Sequence, residues 1–193
     1  MYGLDVSFEY NSYMFVEDGF SVNYRGKPGY SGGLVIGYRV SEKIILTSGV
    51  QYSAKNFKEE IKILAVHPDD PFLSGEVAPT IHFSSKYVEV PVGINYRFNT
   101  NNSSGLMASL AFVNAWQVGN SRKIEPGGGI YLGGSLYNDY LAGLRLGVGF
   151  LWQTGHMGIH VEPNTKFYLN KVHRAGPEDN TVNFGLSVRL LKY

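Results

Sequence analysis

Apolar and polar residues alternate without interruption at the start of the chain. One set of alternate positions is aromatic or aliphatic, and comprises Tyr2, Leu4, Val6, Phe8 and Tyr10. The intervening set is small or polar, and comprises Gly3, Asp5, Ser7, Glu9 and Asn11. Successive side chains of a β-strand point to opposite faces, so this period of two predicts a strand with one apolar and one polar face.

Seven further stretches show the same alternation. They are Tyr30–Val40, Ile44–Asn56, Ile81–Phe98, Gly105–Val118, Tyr137–Gln153, His156–Leu169 and Thr181–Lys192. A tilted strand needs roughly 9 to 11 residues to cross a bilayer. Each stretch is long enough, and the sequence therefore predicts eight transmembrane strands.

The segments between these strands are long and short in turn. Three are short, namely Ser41–Lys43, Asn99–Ser104 and Thr154–Gly155. Four are long, namely Ser12–Gly29, Phe57–Thr80, Gly119–Leu136 and Asn170–Asn180. This order predicts an all-β fold, an eight-stranded antiparallel up-and-down β-barrel that occupies residues 1–193 as one domain. Bacterial barrels place short turns in the periplasm, so we expect both termini there.

Alternation alone also describes a soluble lipocalin-type barrel, which points its apolar face inward. The lumen of an eight-stranded barrel is just wide enough to be filled by side chains, and the large apolar set would overpack it. The opposite face is rich in glycine, with Gly33, Gly37, Gly49, Gly93, Gly143, Gly147, Gly149, Gly158 and Gly185. Glycine suits a crowded and strongly curved interior. We therefore predict that the apolar face meets lipid.

Aromatic residues favour the two membrane interfaces and are expected near the ends of transmembrane strands. One predicted girdle consists of Tyr10, Tyr30, Tyr52, Trp116, Tyr140 and Phe167. The other consists of Tyr2, Tyr38, Tyr96, Phe98, Phe150 and Trp152. The alternative is that these are ordinary strand aromatics.

Composition agrees with an envelope barrel. The 193 residues include 24 glycines, no cysteine and 17% charged residues, with a net charge of +1 that gives no case for nucleic acid as a partner. No apolar run reaches the 18 residues of a helical span. No secretory signal stands at Met1, so we expect a mature chain that carries an added initiator methionine.

Charged residues on the inward face could hold one another ionised through charge-assisted hydrogen bonds. The predicted network comprises Asp5, Glu9, Arg39, Glu89, Arg97, Arg145, His160, Glu162 and Arg189, and Lys55 and Lys166 also point inward. Glu89, Arg145, His160 and Glu162 are expected near mid-height, where they would form a salt-bridged plug. The alternative is a gate or narrow conduit in which the pairs rearrange. Pro91 lacks a ladder donor and predicts a bulge next to Glu89.

The fourth strand carries the sequence Lys86-Tyr87-Val88-Glu89-Val90-Pro91-Val92, preceded by the hairpin around Ser31 to Phe57. Its Tyr87, Glu89 and Pro91 are similar to the Tyr-x-Glu-x-Pro motif of the PorT-like outer-membrane β-barrel proteins of Bacteroidetes. The chain resembles that family over essentially its whole length. The resemblance implies an outer-membrane barrel and little about activity.

The last strand is similar to an outer-membrane assembly signal that the barrel-insertion machinery recognises. The matching residues are Asn183, Gly185, Val188 and Leu190. Leu190 stands where an aromatic residue is commoner, although Tyr193 ends the chain.

No catalytic set is predicted. His160 and Glu162 point the same way but should lie inside the barrel, whereas the enzymes among small outer-membrane barrels act at the lipid-facing rim. The loop sequence from His67 to Pro71 offers one histidine and two carboxylates without a ligand framework, and favours a plain turn. We expect neither a metal nor a cofactor.

Three hypotheses about function follow. The first is a non-catalytic barrel that contacts outer-membrane lipid, lipopolysaccharide or a protein partner, either alone or as a subunit of a larger outer-membrane assembly. Its contact residues would be apolar side chains of the long loops, namely Phe57, Ile61, Ile63, Leu64, Phe72, Leu73, Ile124, Ile130, Tyr131 and Leu132. The second hypothesis is a lipid A-modifying enzyme, and the third is a narrow gated pore.

Overall fold

The computed structural model describes residues 1–13, 22–61, 80–99, 104–125, 130–131, 138–170 and 181–193. In these ranges the chain forms nine strands. They are β1 (Tyr2–Tyr13), β2 (Val22–Arg39), β3 (Ile44–Ile61), β4 (Thr80–Arg97), β5 (Ser104–Glu125), β6 (Ile130–Tyr131), β7 (Tyr140–Thr154), β8 (Met157–Tyr168) and β9 (Thr181–Lys192). Among the described residues no helix is long and apolar enough to cross a membrane.

Eight of these strands close into a barrel. Each long strand pairs antiparallel with its neighbours, and β1 pairs with β9 while β4 pairs with β5. The two-residue β6 is an addition to β5, since Lys123 pairs with Ile130. The predicted eight-stranded antiparallel barrel is confirmed. We call the end with both termini and the short connections the turn end, and the opposite end the loop end.

Strands β2, β3 and β5 extend further toward the loop end than predicted. Residues Val22–Gly29, Phe57–Ile61 and Gly119–Glu125 were predicted as loops but belong to strands. Their backbones pair with the neighbouring strands, as in Arg25 with Lys58 and His82 with Lys123. Backbone pairing does not require the apolar and polar alternation that a lipid boundary imposes, so the sequence pattern ended before the strands did.

The predicted bulge beside Pro91 is wrong. Pro91 pairs in register with Val113, and the β3–β4 register is the same on both sides of it, from Thr47 with Gly93 to Gln51 with Glu89. The missing N–H group interrupts the ladder to β3 without shifting it. Register shifts instead occur near Pro28 in β2, between Gly26 and Tyr30, and between Lys86 and Tyr87 in β4.

The apolar face lies outside and the polar face inside. Phe8 is 69% exposed and Tyr38 is 72% exposed on the outer wall, whereas the interior Asp5 is 2% exposed. Glycine permits this close packing: a Cβ atom at Gly147 would lie 2.6 Å from the Glu162 carboxyl carbon. The inside-out arrangement predicted from the glycine-rich face is therefore present.

The predicted girdle aromatics lie on the outer wall. The turn-end girdle lies near the strand ends, whereas Tyr30, Tyr52 and Trp116 lie in mid-strand because β2, β3 and β5 extend past them. Trp116 and Tyr140 form a pair at the loop-end girdle, with ring centroids 5.8 Å apart. Phe150 and Trp152 form a pair at the turn-end girdle, with centroids 4.6 Å apart. Phe167 is only half-buried and is the least exposed residue of its predicted girdle.

Candidate functional site: the barrel interior

The interior consists of layers of side chains stacked along the barrel axis. An apolar layer at the turn end contains Val35, Ile45, Met107, Leu151 and Leu191, packed against Met1 and Tyr193. A second apolar layer at the loop end contains Phe57, Ile81, Phe83, Tyr87, Ala115, Leu141 and Tyr168. Buried charged side chains lie between them. The sequence predicted the polar centre but neither apolar layer, although each layer occupies inward positions of strands.

Two lysines and two glutamates form the cluster nearer the loop end, which we call the lysine cluster. The Lys166 ammonium contacts Glu9 Oε1 at 2.6 Å and Glu89 Oε2 at 2.9 Å. The Lys55 ammonium contacts Glu89 Oε1 at 2.7 Å and Glu9 Oε2 at 4.0 Å. All four side chains are nearly fully buried, so each charge depends on its partners rather than on water.

Neutral donors complete this cluster. The Tyr168 hydroxyl donates to Glu89 Oε1 at 3.1 Å, and the Ser31 hydroxyl donates to Glu9 Oε1 at 2.9 Å. The Asn183 amide donates to Glu9 Oε2 at 3.3 Å. With two lysines and two glutamates, the cluster has no net charge, which is the condition under which buried ions are tolerated.

Two arginines and two acids form the cluster nearer the turn end, which we call the arginine cluster. Arg189 bridges Asp5 Oδ2 through Nε and Glu162 Oε1 through Nη2, each at 2.9 Å. Arg145 Nη2 lies 2.9 Å from Glu162 Oε1, and Arg145 Nη1 lies 3.5 Å from Asp5 Oδ2. This cluster is also balanced in charge.

Polar neighbours surround the arginine cluster. Gln51 donates to Asp5 Oδ2 at 2.9 Å, and Arg145 Nη2 donates to the Ser187 hydroxyl at 2.6 Å. His160 Nδ1 lies 3.5 Å from Arg189 Nη1, and its Nε2 lies 3.9 Å from Glu162 Oε2. Because the guanidinium can only donate, Nδ1 is placed as an acceptor.

The predicted mid-height residues lie in these two clusters. Glu89 belongs to the lysine cluster, and Arg145, His160 and Glu162 belong to the arginine cluster. Lys55 and Lys166 each contact both glutamates of the lysine cluster. Tyr168, Gln51 and Ser187 were missed, although their inward parity on strands beside charged residues was the available signal.

Arg39 is a correction to the predicted interior network. It is exposed at the final position of β2, with its guanidinium carbon 5.8 Å from the centre of the Tyr193 ring. A long side chain at the barrel rim reaches water even from an inward position. Arg97 is buried, but it ends β4 and pairs in register with Met107 of the turn-end layer, so it lies outside the two clusters.

A small cavity lies beside the arginine cluster. Its volume is about 20 Å³, and its lining includes Asp5, Gln51, Pro91, Asn95 and Arg145. A polar cavity of this size holds about one water molecule.

The assembly-signal residues all lie on β9. Asn183 points inward to Glu9, Gly185 pairs with Glu9, and Val188 and Leu190 are exposed on the outer wall. Recognition by the insertion machinery stays a prediction.

The predicted loop contacts are largely untested by the structure. The residues that lie outside the described ranges include the segment His67–Pro71 and the apolar residues Ile63, Leu64, Phe72, Leu73 and Leu132. Nothing is described of the side chains of Ile61, Ile124, Ile130 and Tyr131. Phe57 is a correction: it is 1% exposed inside the barrel, because β3 continues past it with the inward parity of Lys55. Among the described residues, no group of three or more His, Cys, Asp or Glu side chains could hold a metal ion.

The chain is similar to several solved structures. Neisserial surface protein A is 13% identical, with a TM-score of 0.48 over 100% of this chain and 97% of that chain. Ail, the attachment invasion locus protein of Yersinia pestis, is 13% identical, with a TM-score of 0.44 over 98% of this chain and 96% of that chain. The outer membrane protein OprG from Pseudomonas aeruginosa is 11% identical, with a TM-score of 0.43 over 99% and 92%. No curated protein sequence matches the chain significantly.

A closed antiparallel barrel with an apolar outer wall, aromatic girdles and a charged interior defines an integral membrane β-barrel protein. The profile of the family described as outer membrane protein beta-barrel domain matches residues 1–170. The chain belongs to this family, and its location is the bacterial outer membrane.

Proposed function

We propose that this protein is a non-catalytic outer-membrane barrel with a sealed interior, which acts by binding partners at its external loops or outer wall. The observation that carries this proposal is the stack of two charge-balanced clusters between two apolar layers. An ion on its way through would have to break several buried ion pairs. Truncating one partner of a buried pair typically costs about 3 to 5 kcal/mol.

The loop end is proposed to face the cell exterior, and both termini the periplasm. Short turns join β2 to β3 at residues 40–43 and β7 to β8 at residues 155–156, both at the end that holds Met1 and Tyr193. Bacterial barrels place such turns on the periplasmic side. Loops at the other end are then available to surface ligands or to the other subunits of a larger outer-membrane assembly.

Membership of the PorT-like group of Bacteroidetes is also proposed. Its support is the motif Tyr87, Glu89 and Pro91 on β4. Tyr87 belongs to the loop-end layer and Glu89 to the lysine cluster, so two of the three motif residues fill the barrel centre. The motif thus has a structural task, whichever partner the protein binds.

Planar-bilayer recording tests the sealed interior. Purified barrel inserted into a bilayer is expected to show no discrete conductance steps, because the two clusters and the small cavity leave no continuous water path. A general porin inserted in the same membrane is the positive control. Reproducible steps from this protein would contradict the proposal in favour of a gated pore.

Catalysis is tested separately, since lipid A from cells with and without the protein should have the same mass.

A further inference from the structure

The outer wall at the loop end carries a row of basic side chains across three strands. Lys58 of β3, His82 of β4 and Lys123 of β5 lie directly opposite one another in the sheet. Lys86 lies four residues further along β4, which is about 13 Å at 3.3 Å per residue. Lys86 pairs with Ala54 of β3, and Ala54 pairs with Tyr30 of the aromatic girdle, so these three residues lie at one level of the barrel. The wall therefore has a lower cationic level at Lys86, within the girdle. It has an upper cationic level at Lys58, His82 and Lys123, nearer the loop end.

Hydrogen-bonding side chains lie between the two cationic levels. Asn56, Ser84 and Ser121 form a row across β3, β4 and β5. All three side chains are partly exposed, and a hydroxyl group can both donate and accept hydrogen bonds. The three rows together form a polar surface with hydroxyl and amide groups in the middle and cations at both ends. We call this surface the cationic wall.

The upper level has additional positive charge. Lys27 of β2 reaches over β3, and its ammonium donates to His82 Nδ1 at 2.6 Å. His82 Nε2 lies 3.5 Å from Glu125, which also pairs with Lys123. Among the described side chains of the wall there are four lysines and one glutamate. The described side chains of the wall therefore include more cations than carboxylates.

Among the described outward side chains of the loop end, the lysines lie on one side of the barrel. On the opposite side at the loop end, the outward residues of β7, β8, β9 and β1 include Tyr140, Phe167, Phe184 and Tyr10. No lysine or arginine of these four strands points outward there in the part of the chain that the structure describes. The concentration of the described lysines on one face of three neighbouring strands favours a binding surface.

We propose that the cationic wall binds the phosphorylated sugar head group of lipopolysaccharide in the outer leaflet. This inference rests on the proposed orientation, which places the loop end outside. Two cationic levels separated by hydroxyl groups fit a disaccharide that carries a phosphate at each end, whereas a phospholipid with one phosphate would use one level. A second copy of the chain is a poor occupant, because two cationic walls repel each other.

Charge reversal tests the proposal. The double variant Lys86→Glu/Lys123→Glu removes one cation from each level, and Lys43→Glu/Lys192→Glu makes the same charge change at the turn end, where both lysines are exposed. Binding of purified lipopolysaccharide to each refolded protein in detergent is measured, with lipid A lacking its phosphates and an anionic phospholipid as comparison ligands. The wall variant is expected to lose at least about tenfold in affinity, and the control variant to bind as the original protein does.

Other outcomes overturn the inference. Equal affinity in all three proteins would remove the wall as a binding site, and an equal loss in both variants would indicate non-specific attraction. Unchanged binding of dephosphorylated lipid A, or equally tight binding of the phospholipid, would contradict the assigned ligand. If the charge-reversed protein fails to fold, Lys86→Gln/Lys123→Gln replaces it. Binding in detergent does not depend on orientation in the cell, so failure of the proposed orientation would be detected separately, by labelling of intact cells.

Discussion

Each of the four buried acids in the two clusters contacts two cationic side chains. Glu9 and Glu89 share Lys55 and Lys166, while Asp5 and Glu162 share Arg145 and Arg189. Sharing keeps every charge compensated while the barrel centre excludes most water. A single neutralisation therefore disturbs a whole cluster rather than one pair.

Substitution of Glu89 tests this arrangement at the level of one residue. Glu89→Gln keeps the shape of the side chain but leaves Lys55 and Lys166 with one carboxylate, Glu9. We expect the free energy of unfolding to fall by about 3 to 5 kcal/mol, as for other broken buried pairs. Urea unfolding of the barrel in lipid vesicles measures the change.

The controls for this prediction separate charge balance from packing. Glu42→Gln makes the same chemical change at an exposed turn and is expected to leave stability unchanged. Adding Lys55→Met to Glu89→Gln restores the charge balance and should recover part of the loss. No recovery in the double variant would argue that lost hydrogen bonds to Glu89, rather than charge imbalance, explain the effect.

At the scale of the strand, alternation of apolar and polar residues predicted the strands between the two girdles but missed their extensions toward the loop end. Each stretch predicted from alternation corresponds to a barrel strand, although Val40, Phe98 and Asp139 lie just outside the strand ends. In the other direction, β2, β3 and β5 continue beyond the predicted bounds. Phe57 was assigned to a loop for this reason, although it lies inside the barrel. Alternation reports the contrast between lipid and interior, and that contrast ends where the wall leaves the bilayer.

Pro91 provides a test at this scale. It pairs normally with Val113 on β5, so its missing N–H group faces β3. Pro91→Val supplies a donor to that ladder and is expected to stabilise the barrel by roughly 0.5 to 1.5 kcal/mol, the usual net value of one hydrogen bond. Vesicle unfolding measures it, and Val90→Ile on the same strand, which adds no donor, is the control. A loss of stability in Pro91→Val would show that the proline ring is required by its interior neighbours.

For the molecule as a whole, closure through the β1–β9 pairing gives every central strand a partner on both sides. It also brings Met1 and Tyr193 into the same apolar layer and places the connecting loops at the other end. The proposed orientation in the membrane, with the loop end outside, rests on this arrangement.

Cysteine labelling checks the orientation, and the absence of native cysteine makes each introduced thiol unique. Asp139→Cys lies at the loop end, and Glu42→Cys lies in the turn between β2 and β3; both positions are exposed. A membrane-impermeant maleimide should label position 139 in intact cells and position 42 only after lysis. The reverse pattern would place the termini outside and would also move the cationic wall to the periplasmic side.

The sequence by itself determined the strands, the barrel and its inside-out polarity, because alternation and glycine content are imposed locally by lipid on one side and crowding on the other. It also placed most of the charged residues inside, including Glu89, Arg145 and Glu162. Only the tertiary structure decided which charges meet, that Arg39 stays outside, and that apolar layers close both ends. Those features depend on the stagger between strands far apart in the chain, such as β1 with β9 or β4 with β8, and the period of a single strand does not specify that stagger.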